Sequence, residues 1–331
     1  MYKFIVFNVR EEELELTHDW AKANNVEVTI VDEQLSKDNI DKVKGFDGVS
    51  TSQNSPVPKE LYPILKSYGI KHIGQRSAGF DYYDLEAATD NDIIISNVPV
   101  YSPESIAEFS LTAALSLVRK TRLIDEKTKE HDFRWQPAIR AGLVHEMTVG
   151  VIGTGNIGLT TAKLFKGLGA KIIAFDIFHN PNAEGVLEYK NSIEEVVSQA
   201  DIVTLHVPAT KDNTHQFNYE MFKHFKPTAY IVNAARGSVI DTEGLIKALD
   251  DGLLAGAALD TYENEAGFIP KDYRNLDLED DLFEQVLNHE KIFFTPHIAH
   301  YTDVSVRNIM QISLNSVLEV LETGDTKLRV N

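Results

Sequence analysis

Along the chain, short apolar runs alternate with longer segments in which apolar side chains recur at helical spacing. In the first hundred residues the apolar runs fall at 3–7, 26–31, 47–51, 71–74 and 93–96, and each reads as a strand. Between them, residues 11–24 set Leu14, Leu16 and Trp20 in a charged background, and a weak helix is expected over 37–43. A proline opens a helix over 58–68, and another falls near 83–89. This alternation predicts a parallel sheet with helices on its faces, because parallel strands need crossover connections. Residues 97–103 carry two prolines and mark a boundary. Ser102 is placed to cap the next helix and Pro103 to occupy its first position. That helix, 104–122, is apolar on more than one face (Ile106, Phe109, Leu111, Leu115, Val118). Such a pattern predicts burial against another domain or a second subunit.

The rhythm then resumes. Strands are expected at 149–152, 171–175, 201–206, 229–233, 254–259 and 291–295. Ser192 and Glu195 form a capping box, a helix covers 243–250, and a last helix covers 304–322. With no strand after it, that last helix is expected to return to the first domain. The acid-rich stretch 277–284 reads as solvated surface.

The most informative segment is 148–176, TVGVIGTGNIGLTTAKLFKGLGAKIIAFD. A strand leads into Gly153, Gly155 and Gly158, spaced G-x-G-x-x-G. A helix follows, Gly169 stops it, and a second strand ends on Asp176. The first glycine permits a tight turn, the second lets backbone approach a pyrophosphate, and the third lets helix and strand pack closely. The positive end of the helix faces the phosphates, and the acid about 20 residues on can bind a ribose diol. The plainer alternative is an ordinary tight strand-to-helix turn. An acid at 176 favours NAD over NADP, because a carboxylate repels a 2′-phosphate.

In doubly wound sheets, ligands bind beyond the carboxyl ends of the strands. Gly79 and Tyr101 follow strands of the first half; His206, Arg236, Asp260 and His297 follow strands of the second. Arg236, within NAARG, reads either as a fork for a carboxylate or as a surface ion pair. His297 reads either as an acid–base group or as a satisfied structural histidine. Glu265, in the loop YENEAG, reads alone as a solvated charge, but beside His297 it would favour the imidazolium and a proton donor at neutral pH. His297 and His300 form an H-x-x-H pair with no third ligand at useful spacing, so no metal is expected.

Composition narrows the function classes. The 331 residues suggest about two domains, and the hydrophobic fraction of 43% is ordinary for a soluble protein. Lys and Arg number 32 against 50 Asp and Glu, a net charge of −18, which argues against a broad nucleic-acid or anionic-membrane surface. With no cysteine, disulfides and thiolate nucleophiles are excluded. No apolar stretch reaches the length of a membrane span and no export signal is seen, so a cytoplasmic location is expected.

Taken in order, RSAGFDYYDL (76–85), NVPVYSPESIAE (97–108), VGVIGTGNIG (149–158), LHVPAT (205–210), NAARGSVIDT (233–242), LDTYENEAG (259–267) and TPHIAHYT (295–302) span nearly the whole chain. In these motifs the sequence resembles the NAD-dependent D-2-hydroxyacid dehydrogenases, and most closely their pyruvate-reducing branch. The resemblance implies an α/β fold of two doubly wound parallel-sheet domains with a cleft between them. A flavodoxin-like substrate-binding domain would comprise 1–100 and 300–331, and a Rossmann NAD-binding domain 101–299. It implies a catalytic set of Arg236, Glu265 and His297. It implies a cofactor site lined by Gly153, Gly155, Asn156, Ile157, Gly158, Asp176, Val207, Pro208, Asn213, Ala234, Ala235, Arg236 and Asp260. Backbone amides at Ala78 and Gly79 would cradle the substrate carboxylate, with Tyr101, Arg236, His297 and His300 also at the substrate. His300 stands where the pyruvate-reducing enzymes usually carry Phe and the branched-chain enzymes Tyr, which sets a polar ring beside the pocket. The expected ligands are NAD and a small 2-oxo or D-2-hydroxy acid, with no nucleic acid or membrane partner and a homodimer formed through the NAD domain. Corepressors that share this fold rely on partner-binding grooves and long disordered tails, neither of which is visible. Formate dehydrogenases lack the Glu partner and carry Gln beside the His.

Overall fold

The computed structural model describes all residues from Met1 to Asn331. The chain divides into two compact units, Met1–Ser102 with Tyr301–Asn331, and Pro103–His300.

The first unit is built on five parallel strands, β1 (Lys3–Phe7), β2 (Glu27–Val31), β3 (Gly48–Thr51), β4 (His72–Gln75) and β5 (Ile94–Ser96), in the order β2-β1-β3-β4-β5. Helices α1 (Glu11–Ala23), α2 (Leu61–Ser67) and α3 (Leu85–Asp90) connect them. The apolar run of β1 is explained by burial on both faces. Ile5 and Phe7 enter one core with Val49, Tyr62, Leu65 and Ile73, while Phe4 and Val6 enter another with Trp20, Met310, Leu314 and Val317. The second core is closed by the last helix, Asp303–Thr323. Two strand glycines let that helix lie close to the sheet: a Cβ on Gly48 would stand 2.5 Å from Val317, and one on Gly74 would stand 2.9 Å from the Ser313 hydroxyl. After this helix the chain returns to the sheet edge, where Ser96 and Arg329 form an antiparallel bridge. The weak helix expected over 37–43 is a single 3₁₀ turn, Ile40–Val43.

The second unit carries seven parallel strands: β6 (Thr148–Ile152), β7 (Lys171–Phe175), β8 (Glu188–Tyr189), β9 (Ile202–Leu205), β10 (Tyr230–Asn233), β11 (Gly256–Leu259) and β12 (Ile292–Phe294). Their order is β12-β11-β10-β9-β6-β7-β8. The chain winds outward from β6 to β8, returns beside β6 as β9, and winds the other way, so the topological switch lies between β6 and β9. Its helices are α4 (Pro103–Arg119), α5 (Thr121–Lys129), α6 (Asn156–Gly167), α7 (Ile193–Gln199), α8 (Tyr219–Phe222), α9 (Thr242–Asp250) and α10 (Asp281–Asn288); the closing helix of the first unit is then α11.

Two further sequence expectations need correction. The helix expected over 104–122 ends at Arg119, because Lys120 adopts a left-handed conformation (φ 53°) and α5 starts afresh with no buried residue. The acid-rich stretch 277–284 is more than solvated surface. Asp280 caps α10 through the Phe283 amide and accepts the Tyr262 hydroxyl, and Phe283 and Val286 are buried beneath the acids.

Candidate active site

Register sets the site. In the second unit, Phe175, Ile152, Leu205, Asn233, Leu259 and Phe294 pair laterally across six strands, so all six strands stop at one level. The next residues are Asp176, Gly153, His206, Ala234, Asp260 and Thr295, spaced by roughly 4.8 Å per strand. The candidate residues therefore share one rim although they are far apart in sequence.

At the switch point, Gly153 has φ +88°, and a Cβ there would stand 2.5 Å from the His206 carbonyl oxygen. A Cβ on Gly158 would stand 1.9 Å from the Gly153 carbonyl oxygen. The fold itself requires these two glycines. Gly155 differs: its φ is −63°, and a Cβ there would meet no protein atom within 4 Å. It caps α6 without a side-chain hydrogen bond, so the first-turn amides at Asn156 and Ile157 lie at an exposed, uncapped helix end. A glycine that neither conformation nor packing explains, at a bare helix N-terminus, fits close approach by a pyrophosphate. The Asp176 carboxylate accepts from the Thr154 amide at 2.5 Å, the Thr154 hydroxyl at 3.1 Å and the Phe178 amide at 3.0 Å. With about four lone-pair sites on a carboxylate, room remains for a ribose hydroxyl. Thr154 also bonds the Tyr189 hydroxyl at 2.8 Å, and Asn180 donates to the Thr154 carbonyl at 2.7 Å. These three residues brace Asp176 and were not singled out from the sequence; only Thr154, inside the glycine motif, carried a local signal.

Beyond β9, Val207 and Pro208 lead to Asn213, whose side chain donates to the Pro208 carbonyl at 2.7 Å and accepts the Thr210 amide at 2.8 Å. His206 is held neutral: burial drives its pKa down to about 3, and its Nε2 pairs with the Thr204 hydroxyl at 2.9 Å. Beyond β10, the Asn233 side chain donates to the Arg236 carbonyl at 2.9 Å and accepts the Ala235 amide at 3.1 Å, which shapes the Ala234–Ala235 turn. The Arg236 side chain is exposed. A Cβ on Gly237 would stand 2.2 Å from the backbone carbon of Tyr262, so only glycine lets the Arg236 loop rest against the loop carrying Glu265.

Glu265 is not the solvated charge it suggested alone. Its Oε2 accepts the Tyr262 amide at 2.9 Å, and its Oε1 pairs with His297 Nδ1 at 2.6 Å. His297 is half-buried and sits at φ +53°, a conformation rare for a residue with a Cβ. Its amide donates to the Asp260 carbonyl at 2.7 Å. The Asp260 carboxylate is buried and accepts from the Thr295 hydroxyl at 2.6 Å and the Ile298 and Ala299 amides at 3.0 and 2.8 Å. Burial disfavours the charged form of His297. The hydrogen bond and charge of Glu265, with the charge of Asp260, outweigh that burial and the opposing charge of Arg236, so the pKa lies above the ordinary histidine value. Burial lifts the Asp260 carboxyl above its ordinary value, against the three hydrogen bonds it accepts. The unit thus sets a proton-holding imidazole and a guanidinium on one rim with a dinucleotide-type turn. The His300 ring stands edge-on to His297, centroids 5.9 Å apart.

Comparison with known proteins agrees with that arrangement. Residues 111–299 match the description "D-isomer specific 2-hydroxyacid dehydrogenase, NAD binding domain". The chain belongs to the D-isomer specific 2-hydroxyacid dehydrogenases. As a member of this family it is an NAD-dependent oxidoreductase. Among similar proteins, the D-lactate dehydrogenase of Streptococcus agalactiae serotype III (strain NEM316) is 52% identical over 99% of this chain and all of its own. Two solved structures each align over 99% of both chains. The D-lactate dehydrogenase of Treponema pallidum has a TM-score of 0.93 at 38% identity, and D-2-hydroxyisocaproate dehydrogenase a TM-score of 0.94 at 34%. The dehydrogenase fold also includes the first unit. There Ala78 and Gly79 follow β4, and Tyr101 offers its carbonyl to the Asn308 side chain at 2.6 Å.

Proposed function

We propose that the chain reduces pyruvate to D-lactate, reversibly, with His297 as the acid–base group. The observation that carries the reading is the His297–Glu265 pair, which favours the imidazolium at the rim beyond β12. The Gly153–Gly158 turn, Asp176 and the segments at Val207–Pro208, Asn213 and Ala234–Ala235 would hold NADH, which when bound would supply a hydride for C2 of the oxo acid. Arg236 binds the substrate carboxylate and polarises its carbonyl. His297 gives the proton on Nε2 to the developing alkoxide, a step worth about 10²–10⁴ in rate, and in the reverse direction the neutral ring takes it back. Glu265 keeps the Nδ1 side of the ring oriented. Ala78, Gly79 and Tyr101 act as further substrate contacts.

Pyruvate is favoured by the 52% identical relative named a D-lactate dehydrogenase. The polar ring of His300 supports a second reading, a preference for larger branched or aromatic oxo acids, in line with the similarity to D-2-hydroxyisocaproate dehydrogenase. NADH oxidation with pyruvate, 2-oxoisocaproate and phenylpyruvate, with chiral analysis of the product, decides between them. The highest kcat/KM is expected for pyruvate, and a higher value for a larger acid replaces this reading with the second. His297→Gln should lose turnover by about 10²–10⁴ and retain NADH binding; unchanged turnover removes His297 from the mechanism.

We also propose a homodimer formed through the second unit. The exposed aromatic side chains Trp135 (97%) and Phe133 (70%), just after α5, are the candidate contact for it. No helix is long and apolar enough to cross a membrane, and a cytoplasmic location, where NADH is regenerated, is proposed with this activity.

A further inference from the structure

Residues 76–80, after β4 in the first unit, are held by side chains rather than by regular structure. The segment begins at Arg76, whose wholly buried guanidinium donates to the Phe7 and Asn8 carbonyls at 2.8 and 2.7 Å. Three successive carbonyls are then occupied. The Ser77 carbonyl accepts the Val98 amide at 2.9 Å, the Ala78 carbonyl accepts the Asn97 side chain at 2.7 Å, and the Gly79 carbonyl accepts the Ser77 hydroxyl at 2.6 Å. Ser77 is oriented in turn by Gln75, a buried amide that donates to its hydroxyl at 2.9 Å and accepts the Tyr83 hydroxyl at 2.7 Å.

In a planar trans peptide the N–H points opposite to the C=O. Tying down the Ala78 and Gly79 carbonyls therefore turns the Gly79 and Phe80 amides away from Asn97 and Ser77. Neither amide donates to any acceptor in the chain. Successive backbone amides left open in this way form an anion-binding concavity. Gly79 adds an independent sign. It does not adopt a left-handed φ, and a Cβ there would meet only the Asp81 carboxylate, at an ordinary 3.6 Å. Neither conformation nor packing demands glycine at 79, whereas close approach by a ligand does.

We propose that Asn97 and Ser77 are positioning residues for the substrate carboxylate, fixing the peptide planes so that the Gly79 and Phe80 amides present together. The proposal rests on the reading of this segment as a carboxylate cradle. It extends the donor set to Phe80 and makes the orientation of the cradle depend on two side chains that do not touch the substrate.

The test uses Asn97→Ala, Ser77→Ala and Ser77→Thr in the full-length enzyme, with pyruvate as substrate and oxamate as a carboxylate-bearing analogue. Each alanine variant should raise the pyruvate KM and the oxamate Ki together, on the order of tenfold for one lost hydrogen bond. The kcat should change less than about twofold, NADH affinity should hold, and Ser77→Thr, which keeps the hydroxyl, should restore wild-type values. Should Asn97→Ala fail to fold by circular dichroism, the Ser77 pair decides alone. An unchanged oxamate Ki in folded Ser77→Ala, or failure of Ser77→Thr to restore it, overturns the positioning role while wild-type turnover of pyruvate leaves the proposed function standing. A wild-type enzyme that neither reduces pyruvate nor binds oxamate overturns both.

Discussion

Replacing Glu265 by Gln separates its two tasks. The carboxylate serves two donors at once, His297 Nδ1–H at 2.6 Å and the Tyr262 amide at 2.9 Å. A carboxamide has one acceptor oxygen, so if it faces His297 its NH₂ confronts the Tyr262 amide. An unpaired buried donor costs about 1–3 kcal/mol, or roughly fivefold to a hundredfold in kcat/KM if borne in the transition state. The lost charge acts separately. Without it, His297 retains Asp260 as its favourable partner, while burial and Arg236 oppose protonation, so its pKa falls relative to wild type.

The sign differs between the two directions of reaction. Reduction needs the imidazolium, so its rate falls as pH rises through the His297 pKa, and Glu265→Gln moves that limb to lower pH. Oxidation needs the neutral ring, so its rate climbs with pH, and the same change moves that limb down as well. The variant should therefore lose most in reduction at neutral and alkaline pH, recover part of the loss on acidification, and suffer less in oxidation. Folding carries the same signature. A pKa raised in the folded state contributes stability that is fully present below the unfolded value and lost as pH rises through the folded one. The stability gap between wild type and variant should thus narrow toward alkaline pH. Profiles of kcat/KM against pH in both directions, with NADH affinity as control, provide the check. A reduction limb that stays in place or moves to higher pH refutes the acid–base assignment.

The glycine motif permits a paired test. Gly158→Ala forces a Cβ to 1.9 Å from a backbone oxygen and should cost about 1–3 kcal/mol, seen as a Tm lower by several degrees. Gly155→Ala meets no protein atom and should hold its Tm while NADH binds about tenfold more weakly; a loss of Tm without loss of affinity would contradict the cofactor assignment. Asp176→Asn keeps an acceptor for the Thr154 amide but removes the charge, so the NADPH-to-NADH ratio of kcat/KM should rise roughly fivefold, from about 1 kcal/mol of relieved repulsion in water. Trp135→Asp should shift sedimentation toward the monomer, and an unchanged coefficient places the dimer contact elsewhere.

The fold was legible where burial writes a pattern into the sequence. The central strands show as apolar runs because parallel strands are buried on both faces, as β1 demonstrates with neighbouring side chains in opposite cores. Elements that bury little left no such trace. The α5 helix has no buried residue, and the apolar face of α10 (Leu282, Phe283, Val286 and Leu287) is only two turns long and sits in an acid-rich stretch whose charge hides it. The break at Lys120 is a single left-handed residue within a run that contains no glycine or proline to announce it.

The site shows the same divide between local and non-local information. The glycine turn and the strand ends could be located because each is written in a few consecutive residues. The pairing of Glu265 with His297 was expected from the resemblance, but what holds it was not: Gly237 admits the Tyr262–Glu263 backbone, and the Tyr262 amide turns the carboxylate. Asp260 makes the point most sharply. The sequence places it only at a strand end, among the residues expected to line the cofactor. In the structure its carboxylate holds Thr295, Ile298 and Ala299, and its carbonyl holds the His297 amide. Those four bonds surround the one left-handed residue of the candidate catalytic set, a conformation that costs about 1–2 kcal/mol for a residue with a Cβ. Asp260 reaches all four partners because Leu259 pairs with Phe294, bringing the first residue beyond β11 beside the first beyond β12. A register slip of one residue would separate the carboxylate from the loop and release His297 from Glu265 without altering any motif. The chemistry is thus written in the residues, but its geometry is written in the pairing of strands distant in sequence.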